Sequence, residues 1–399
     1  MRISLIAREL AKRGRFEVVV LVGDYGQPHV EMIDKVKLVS WLHRDIWGIP
    51  PRRKQNSIAS WNPFRYGSIP FNIWHRAQKR IFAELSAWFP GSVFSYIGNF
   101  RVLQKNIAIY DEINADIYVV PGNTFFSAEA ASYCSQRGKK YVFLSGSDMD
   151  YYPEFKENPE GRDIYGTPHY LKLYSILQAN AHIVQSERQA KMLNDAYHRS
   201  STVIKNPIDT GKKFDRNPDP QIILWVGKSD ERVKRPSLAF ELARRMPEFQ
   251  FVIIINTVNI KAHLKSMKLA QNSPNITLIE QVPFEEIENY FANARVHLNT
   301  SAFEGFPNTY LQAAKYGVPT VTMTVDPDGM LSRHFCGLVS GDNLDACEEN
   351  ISQLMRDDKV YAELGRNSLK YVRRFHDKDK IIHKYERALE TVLSMERIE

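Results

Sequence analysis

The chain has 399 residues, of which 43% are hydrophobic and 25% charged, and its mean hydropathy is −0.38. This length exceeds the roughly 250 to 300 residues at which a single core stops growing, so we expect two domains. The composition excludes wholesale disorder, and the apolar runs are far shorter than the about 20 residues that a membrane-spanning helix needs.

The net charge of +7 is concentrated in one segment. Residues 41–105 contain ten Lys and Arg against two acidic residues, together with five of the six tryptophans. This composition suits a membrane surface or a nucleic acid. Over 73–89 the apolar residues recur every three or four positions, which predicts a basic amphipathic helix that lies on an anionic membrane or packs on its own sheet. No motif that reads nucleic acid is recognisable, so we expect no nucleic-acid partner.

At the N terminus, Leu5, Ala7 and Leu10 ahead of Gly14 predict a helix and its end. A lobe built on a parallel sheet normally starts with a strand and a glycine-rich turn before such a helix. Two interpretations stay open: residues 1–5 form a short extended piece, or the first strand is missing. Charged residues interrupt this start too often for a signal peptide, so we expect a cytoplasmic protein.

Short β-branched runs then alternate with helical periodicity, the pattern of parallel sheets covered by helices. The predicted strands begin at Phe16, Asp116, Lys140, His182, Thr202, Ile222, Phe251, Ile276, Arg295 and Pro319. Ser186, followed three residues later by Gln189, predicts a capped helix start. The sequence therefore predicts an α/β protein with two doubly wound sheets.

Pro and Asn residues at 206–209, and the polar run after them, interrupt the pattern and predict a hinge. We place an N-terminal lobe over 1–207 and a C-terminal lobe over 208–375. The strongly helical stretch 376–399 is predicted to leave the second lobe and to pack elsewhere, with the N-terminal lobe as the candidate.

Two lysines, Lys228 and Lys234, flank a predicted strand-to-helix turn, and Pro236 suits the first turn of the helix that follows. In an open parallel sheet such turns form the ligand crevice, where two ammonium groups and backbone amides can hold a diphosphate. A solvated basic loop is the alternative.

A second motif follows the predicted strand at Arg295. Glu304 precedes a Gly-Phe-Pro turn, and Asn308 is predicted to cap the next helix, so that its positive dipole end faces an anionic or hydroxyl-rich ligand. Gln312, two turns beyond Glu304, is expected to reach the same ligand. The alternative is a capped surface helix with Glu304 merely at its dipole end.

Together, VGK…KRP and EGFPNTYLQA, in this order and after suitable strands, resemble the donor-binding half of the family-four retaining glycosyltransferases. ANAHIVQSERQ with KNPID, and VDPDGML with CGLV, extend the resemblance over most of the chain. The resemblance implies the GT-B fold, in which two Rossmann-like lobes face a central cleft.

The resemblance also implies a donor site. Lys228 and Lys234 would bind the donor diphosphate, and Glu304 would contact the transferred sugar. Gln312 stands where the family usually has a second Glu that contacts the ribose, and its amide keeps an acceptor oxygen. The implied donor-binding set is Gly227, Lys228, Lys234, Glu304, Gly305, Phe306, Pro307, Asn308 and Gln312.

On the acceptor side, Ser147 and Asp148 stand where the family often has His-Asp. Retaining members are thought to react on one face, with the leaving phosphate accepting the proton, so the missing His affects acceptor positioning more than chemistry. Asp148 is predicted to orient the acceptor or donor sugar, or simply to cap a turn. Gly122 and Asn123, at another strand end, form a second acceptor-side candidate.

Two Asp-x-Asp triplets, 148–150 and 326–328, could be interpreted as a metal site. Because two lysines are available to neutralise a departing diphosphate, we expect no metal and no cofactor apart from the nucleotide-sugar substrate. Cys134, Cys336 and Cys347 are scattered and predict neither a disulfide framework nor a zinc site, only packing.

The sequence thus predicts a retaining, metal-independent hexosyltransferase. It would move a sugar from a nucleotide-diphosphate donor to a glycan or lipid-linked acceptor in cell-surface polysaccharide synthesis, with 41–105 contacting the inner membrane face. Two alternatives stay open: a non-catalytic partner subunit of glycosyltransferase type, and a nucleotide-sugar epimerase on the same fold.

Overall fold

A computed structural model describes residues 2–24, 29–42, 107–211, 220–257, 260–271, 273–280, 282–283 and 286–395. The predicted basic helix over 73–89 and nearly all of the segment 41–105 lie outside the described residues, as does most of the polar run after the hinge. Within the described part, no helix has both the length and the apolar character needed to cross a bilayer.

The described residues of the N-terminal half form seven strands. They are β1 (Val19–Asp24), β2 (His29–Ile33), β3 (Val36–Leu42), β4 (Ile117–Pro121), β5 (Lys140–Leu144), β6 (Ala181–Val184) and β7 (Thr202–Val203). The helices described here are α1 (Arg2–Arg13), α2 (Ile107–Ile113), α3 (Phe125–Arg137), α4 (Glu154–Glu157), α5 (His169–Leu177) and α6 (Glu187–Tyr197). Strands β4 to β7 form a parallel sheet, as predicted, and they lie side by side in chain order.

Strands β1, β3 and β2 form a separate sheet that the sequence did not predict. Strand β3 pairs parallel with β1 and antiparallel with β2. The β2–β3 hairpin turns at Asp34 and Lys35, whose φ angles of 49° and 66° are both left-handed. Such hairpin turns usually carry Asn-Gly or Asp-Gly, so the Asp-Lys pair gave no turn signal.

Helix α1 begins at Arg2 and ends before Gly14, whose φ is 72°. The helix predicted from Leu5, Ala7 and Leu10 is confirmed. The interpretation of residues 1–5 as an extended piece is wrong, because the backbone is already helical at Arg2.

In the part of the C-terminal half that the structure describes, six strands form one parallel sheet. Its strands are β8 (Ile222–Lys228), β9 (Gln250–Asn256), β10 (Ile276–Ile279), β11 (Ala294–Asn299), β12 (Thr320–Thr322) and β13 (Gly337–Val339). Its helices are α7 (Pro236–Arg245), α8 (Ile260–Gln271), α9 (Ile287–Ala292), α10 (Asn308–Lys315), α11 (Leu344–Arg356) and α12 (Asp358–Phe375). The order β10-β9-β8-β11-β12-β13 reverses direction between β8 and β11, and ligands bind at such a reversal, outside the carboxyl ends of the strands.

The last helix, α13 (Lys378–Ser394), packs on the N-terminal half. Its buried Ile381, Ile382 and Tyr385 share a hydrophobic cluster with Ile6 of α1 and Ile183 of β6. The backbone N–H of Lys378 donates to the carbonyl of Ile208 at 3.1 Å, so the end of the chain is tied to the hinge as well.

All three cysteines are buried and free, in agreement with a packing role. Burial raises the pKa of the Cys134 and Cys336 thiols to about 12 and that of Cys347 to about 11. Thiols with so high a pKa are poor nucleophiles near neutral pH.

Candidate functional site

The loops that follow β8 and β11 meet at the point where the C-terminal sheet reverses direction. The backbone N–H of Ala302 donates to the carbonyl of Val233 at 2.9 Å. The hydroxyl of Thr300 donates to the carbonyl of Lys234 at 2.7 Å and accepts from the indole N–H of Trp225 at 2.9 Å. These bonds join the two loops that carry the predicted donor-binding residues.

Lys234 and Glu304 come together in this crevice. The Lys234 ammonium forms a salt bridge with Oε1 of Glu304, and that oxygen also accepts from the Ser301 hydroxyl at 2.8 Å. Both side chains are partly exposed, 24% for Lys234 and 16% for Glu304. Lys228 is exposed at the end of β8 and has no acidic partner among the described residues. The crevice therefore offers cationic groups and one carboxylate to a ligand.

Gly227 is buried next to the Trp225 ring. A Cβ atom at Gly227 would approach that ring to 2.6 Å. Any larger residue would displace the indole and with it the bond to Thr300 that fixes the loop after β11. The next helix, α7, begins at Pro236, as expected for Pro in a first helical turn.

The start of α10 differs from the prediction. Pro307 occupies the N-cap position, and Asn308 is the first helical residue. The prediction that Asn308 caps this helix is therefore wrong. Its Oδ1 instead accepts from the side-chain amide of Asn206, at 3.4 Å, since Pro307 has already turned the chain into the helix. Gln312 lies two turns beyond Glu304 on α10 and is 6% exposed.

The Gly-Phe-Pro turn contacts the N-terminal half directly. The backbone N–H of Phe306 donates to Oε1 of Gln185 at 3.2 Å, and its carbonyl accepts from Asn206 at 3.0 Å. A Cβ at Gly305 would lie 2.6 Å from the side-chain nitrogen of Gln189 and 3.1 Å from the Gly146 carbonyl. Only glycine allows the two halves to come this close here.

Asp148 faces this contact from the N-terminal side. Its carboxylate accepts from Gln189 Nε2 at 3.1 Å and pairs with Arg188 at 3.0 Å. Burial raises its pKa to about 6, and the neighbouring Arg188 and Gln189 only partly offset that effect. An acid with such a pKa changes charge close to neutral pH, which is typical of functional sites.

The other acceptor-side candidates have mainly internal contacts. Ser147 caps a short 3₁₀ helix, Asp148–Tyr151, by accepting from the N–H of Met149 at 3.4 Å. Asn123 is 3% exposed, and its amide donates to the Asp150 carbonyl at 2.9 Å and accepts from the Ser175 hydroxyl at 2.9 Å. Gly122, with φ of 76°, makes the turn after β4.

The carboxylates within each Asp-x-Asp triplet have separate partners. Asp150 accepts from the backbone N–H groups of Gly146 and Ser147 at 2.6 and 2.9 Å, whereas Asp148 pairs with Arg188. Asp326 accepts from the Leu331 N–H at 2.8 Å, whereas Asp328 pairs with Lys205 at 2.8 Å. In neither triplet do the two carboxylates share a bonding partner.

The sequence did not predict the contacts that Gln185 and Asn206 make with the C-terminal half. For Gln189 it predicted only a role at the start of a helix. Ser186 does cap α6, accepting from the Gln189 N–H at 3.2 Å. The Gln189 side chain, however, bonds the backbone N–H of Gln185 and the carboxylate of Asp148 rather than the N-cap. The only sequence signal for this cluster was the SERQ helix start and the NPID hinge, and neither indicates a contact between the two halves.

Known proteins resemble parts of this chain in sequence. Residues 220–357 match the family described as Glycosyl transferases group 1. Lipopolysaccharide 1,6-galactosyltransferase of Salmonella typhimurium is 31% identical over 128 residues. That match covers 30% of this chain and 36% of the relative, so the alignment spans about a third of either protein.

Solved structures resemble the whole chain in fold. Sucrose-phosphate synthase of Thermosynechococcus elongatus superimposes with a TM-score of 0.68 at 14% identity, covering 98% of this chain and 92% of that one. A mutant of TarM from S. aureus, in complex with fondaparinux, alpha-GlcNAc-glycerol and UDP, superimposes with a TM-score of 0.58 at 16% identity. That superposition covers 74% of this chain and 59% of the TarM chain. The chain therefore has the GT-B fold, with an N-terminal lobe of β1–β7 and a C-terminal lobe of β8–β13.

Proposed function

We propose that this chain is a retaining, metal-independent glycosyltransferase that uses a nucleotide-diphosphate sugar. The acceptor is a glycan or a lipid-linked glycan. The group 1 glycosyltransferase match lies in the lobe that carries Lys228, Lys234 and Glu304. TarM, a protein of the same fold, has a solved structure in complex with UDP. Both findings support a nucleotide-diphosphate sugar as the donor.

The observation that carries the proposal is the salt bridge between Lys234 and Glu304 at the reversal point of the C-terminal sheet. It brings a cation and a carboxylate, from loops after two different strands, to the place where an α/β sheet binds its ligand. A diphosphate needs the cation, and the hydroxyls of a sugar suit the carboxylate, which accepts hydrogen bonds.

In the proposed reaction, the bond between the anomeric carbon of the sugar and the diphosphate oxygen breaks. The acceptor oxygen forms its bond to the same face of that carbon, and the proton of the acceptor hydroxyl passes to the departing phosphate oxygen. Lys228 and Lys234 stabilise the negative charge that grows on the diphosphate, which is the type of stabilisation that contributes most to catalysis. Glu304 holds the transferred sugar in position.

Asp148 supports the acceptor side of this reaction. Its partner Gln189 also lies against Gly305, next to Glu304 in the chain, so the carboxylate is placed at the boundary between the two lobes. Asp148 orients the acceptor or the donor sugar there. Gln312, on α10 beyond Glu304, offers its amide oxygen to the nucleotide ribose.

The biological setting we propose is cell-surface polysaccharide synthesis at the inner membrane face. The name of the Salmonella relative supports it, since that protein acts on lipopolysaccharide. The excess of basic and aromatic residues over 41–105 supports attraction to an anionic membrane, at about 1 kcal/mol per cation near the surface.

Purified protein incubated with a panel of nucleotide sugars, with and without chelator, tests this function. We expect one donor to be consumed in both conditions, and NMR of the product to show the anomeric configuration of the donor. A product of inverted configuration would contradict retention, and a requirement for divalent metal would contradict the role given to the lysines. Conversion of the donor into an epimer without acceptor would favour the epimerase, and no turnover of any donor would favour the non-catalytic subunit.

A further inference from the structure

One loop of the N-terminal lobe presents two exposed apolar side chains beside the candidate donor site. Ile164 is 38% exposed and Tyr165 is 62% exposed. The Arg232 guanidinium donates to the Ile164 carbonyl at 2.7 Å and lies 5.7 Å from the centre of the Tyr165 ring. Arg232 lies in the loop that runs from Lys228, at the end of β8, to α7, and the same loop carries Lys234. The loop tip therefore reaches across the cleft to the donor loop.

This tip is held in one conformation by a buried carboxylate. Asp163 Oδ1 accepts the backbone N–H groups of Tyr165 and Thr167, at 2.9 and 2.8 Å. Its Oδ2 pairs with Lys172 at 2.7 Å, and both side chains are nearly inaccessible, at 6% and 5% exposure. Separating a buried ion pair would leave an uncompensated charge, which is strongly destabilising. The Asp163–Lys172 pair therefore fixes the turn that carries Tyr165.

The contacts of Tyr165 place its ring beside the donor loop. Arg232, which bonds the Ile164 carbonyl and lies near the ring, is two residues before Lys234, whose ammonium pairs with Glu304. Partial burial raises the pKa of the Tyr165 phenol, and the negative charges of Asp230, Asp163 and Glu304 raise it further, against Arg232. Glu304 is the residue proposed to contact the transferred sugar, and Tyr165 belongs to the opposite lobe, which is proposed to hold the acceptor.

The chemistry of this surface selects a neutral, partly apolar ligand. A pyranose ring has a face made of C–H groups and an edge made of hydroxyls. That pattern fits a tyrosine, which combines an apolar ring with a polar tip. The charged side chains nearby pair with one another, Arg232 with Asp230 at 3.9 Å and Lys234 with Glu304, so the ring itself does not favour an anionic occupant over a neutral one.

We propose that Tyr165 is the stacking platform for the acceptor sugar, positioned by Asp163 from within its own lobe and by Arg232 from the opposite lobe. The inference rests on the proposed function and deepens it, since it assigns a neutral hexose to the acceptor subsite. Tyr165 binds the acceptor and takes no part in bond breaking. Because the aromatic ring accounts for the binding, the Tyr165→Phe variant is expected to bind the acceptor sugar as the wild type does.

Saturation-transfer NMR with methyl α-D-galactopyranoside and methyl α-D-glucopyranoside, in the presence of UDP, tests the platform. We expect at least one of these hexosides to bind the wild-type protein and Tyr165→Phe. Tyr165→Ala should weaken that binding by about tenfold, since an aromatic contact is lost. With an active donor, the same change should raise the acceptor KM and leave the donor KM unaltered, a split that a merely structural role does not produce.

Phe335→Ala is the matched control, because Phe335 is an aromatic side chain of equal exposure, 61%, in the C-terminal lobe. Equal loss of hexoside binding in Phe335→Ala, intact binding in Tyr165→Ala, or no hexoside binding to the wild type overturns the platform. A rise in donor KM for Tyr165→Ala also overturns it and identifies a contact that only joins the lobes. UDP titration separates the two proposals: absence of UDP binding rejects the nucleotide-sugar function, whereas the hexoside result still decides the platform.

Discussion

At the scale of single residues, Glu304 is the side chain proposed to hold the transferred sugar. Its Oε1 bonds Lys234 and Ser301, so the carboxylate is held in place before any sugar reaches it. Glu304→Gln preserves size and one acceptor oxygen but removes the charge. We expect the variant to lose turnover by about a hundredfold, measured as kcat/KM, because a fixed charge at the reacting sugar is lost.

The matched control is Glu241→Gln. Glu241 also pairs with basic side chains, Arg244 and Arg245, but on the outer surface of α7. This substitution should leave turnover unchanged. Wild-type kcat/KM in Glu304→Gln would show that the salt bridge with Lys234 serves structure only.

Asp148 gives the site a measurable dependence on pH. Burial raises its pKa from 3.8 to about 6, so in the interval between these values the folded state binds more protons than the unfolded state. Stability should therefore fall as pH rises through that interval, by at most about 3 kcal/mol at this residue, and stay level above it. The side chain is 12% exposed, so solvent screens little of this effect.

Comparison of wild type with Asp148→Asn isolates this contribution, because all other titrating groups are common to both proteins. Thermal or denaturant melts between about pH 4 and about pH 7 should show the variant gaining stability relative to wild type as pH rises. A difference in unfolding free energy that is constant over this range would contradict the raised pKa of Asp148.

At the scale of elements, the turn at Gly305 is one of the close approaches of the two lobes at the site. Gly305→Ala would bring a Cβ to 2.6 Å from the Gln189 amide and 3.1 Å from the Gly146 carbonyl. The turn must then move away and carry Glu304 with it. We expect kcat/KM to fall by about tenfold, because small displacements of positioned groups are costly.

Since Gln189 is a flexible side chain, its truncation should relieve most of this clash. The double variant Gly305→Ala/Gln189→Ala is therefore expected to recover part of the activity that Gly305→Ala loses, with Gln189→Ala alone as the control. Absence of any recovery would show that the Gly146 backbone, or a cause outside this contact, sets the requirement for glycine.

The elements also show what the sequence could predict. The β-branched runs of β8, β9 and β11 identified buried parallel strands because both faces of such strands are apolar. The β2–β3 hairpin was missed since its Asp34-Lys35 turn lacks glycine. The cap assigned to Asn308 failed because the preceding proline takes the cap position. Local patterns thus indicated strands and loops, but not which turn chemistry the chain uses.

At the scale of the whole molecule, the site is assembled from both lobes. Gly305 lies against Gln189, Asp328 pairs with Lys205 at 2.8 Å, and Arg232 bonds the loop tip at Ile164. Sequence motifs identified the two C-terminal loops, because each follows its own strand. They could not indicate the cross-lobe contacts, since these depend on how two separately folded sheets are placed.

Titration of UDP into the wild-type protein and Lys234→Ala, each with and without chelator, is the most direct test of the central claim. Lys191→Ala, which removes an exposed lysine from α6, is the control. We expect the wild type and the control to bind UDP in the presence of chelator. Lys234→Ala should bind at least about tenfold more weakly, since a charge-assisted contact to the diphosphate is lost. Equal affinity of Lys234→Ala and wild type, or binding that disappears with the chelator, would contradict the claim that lysines hold the diphosphate.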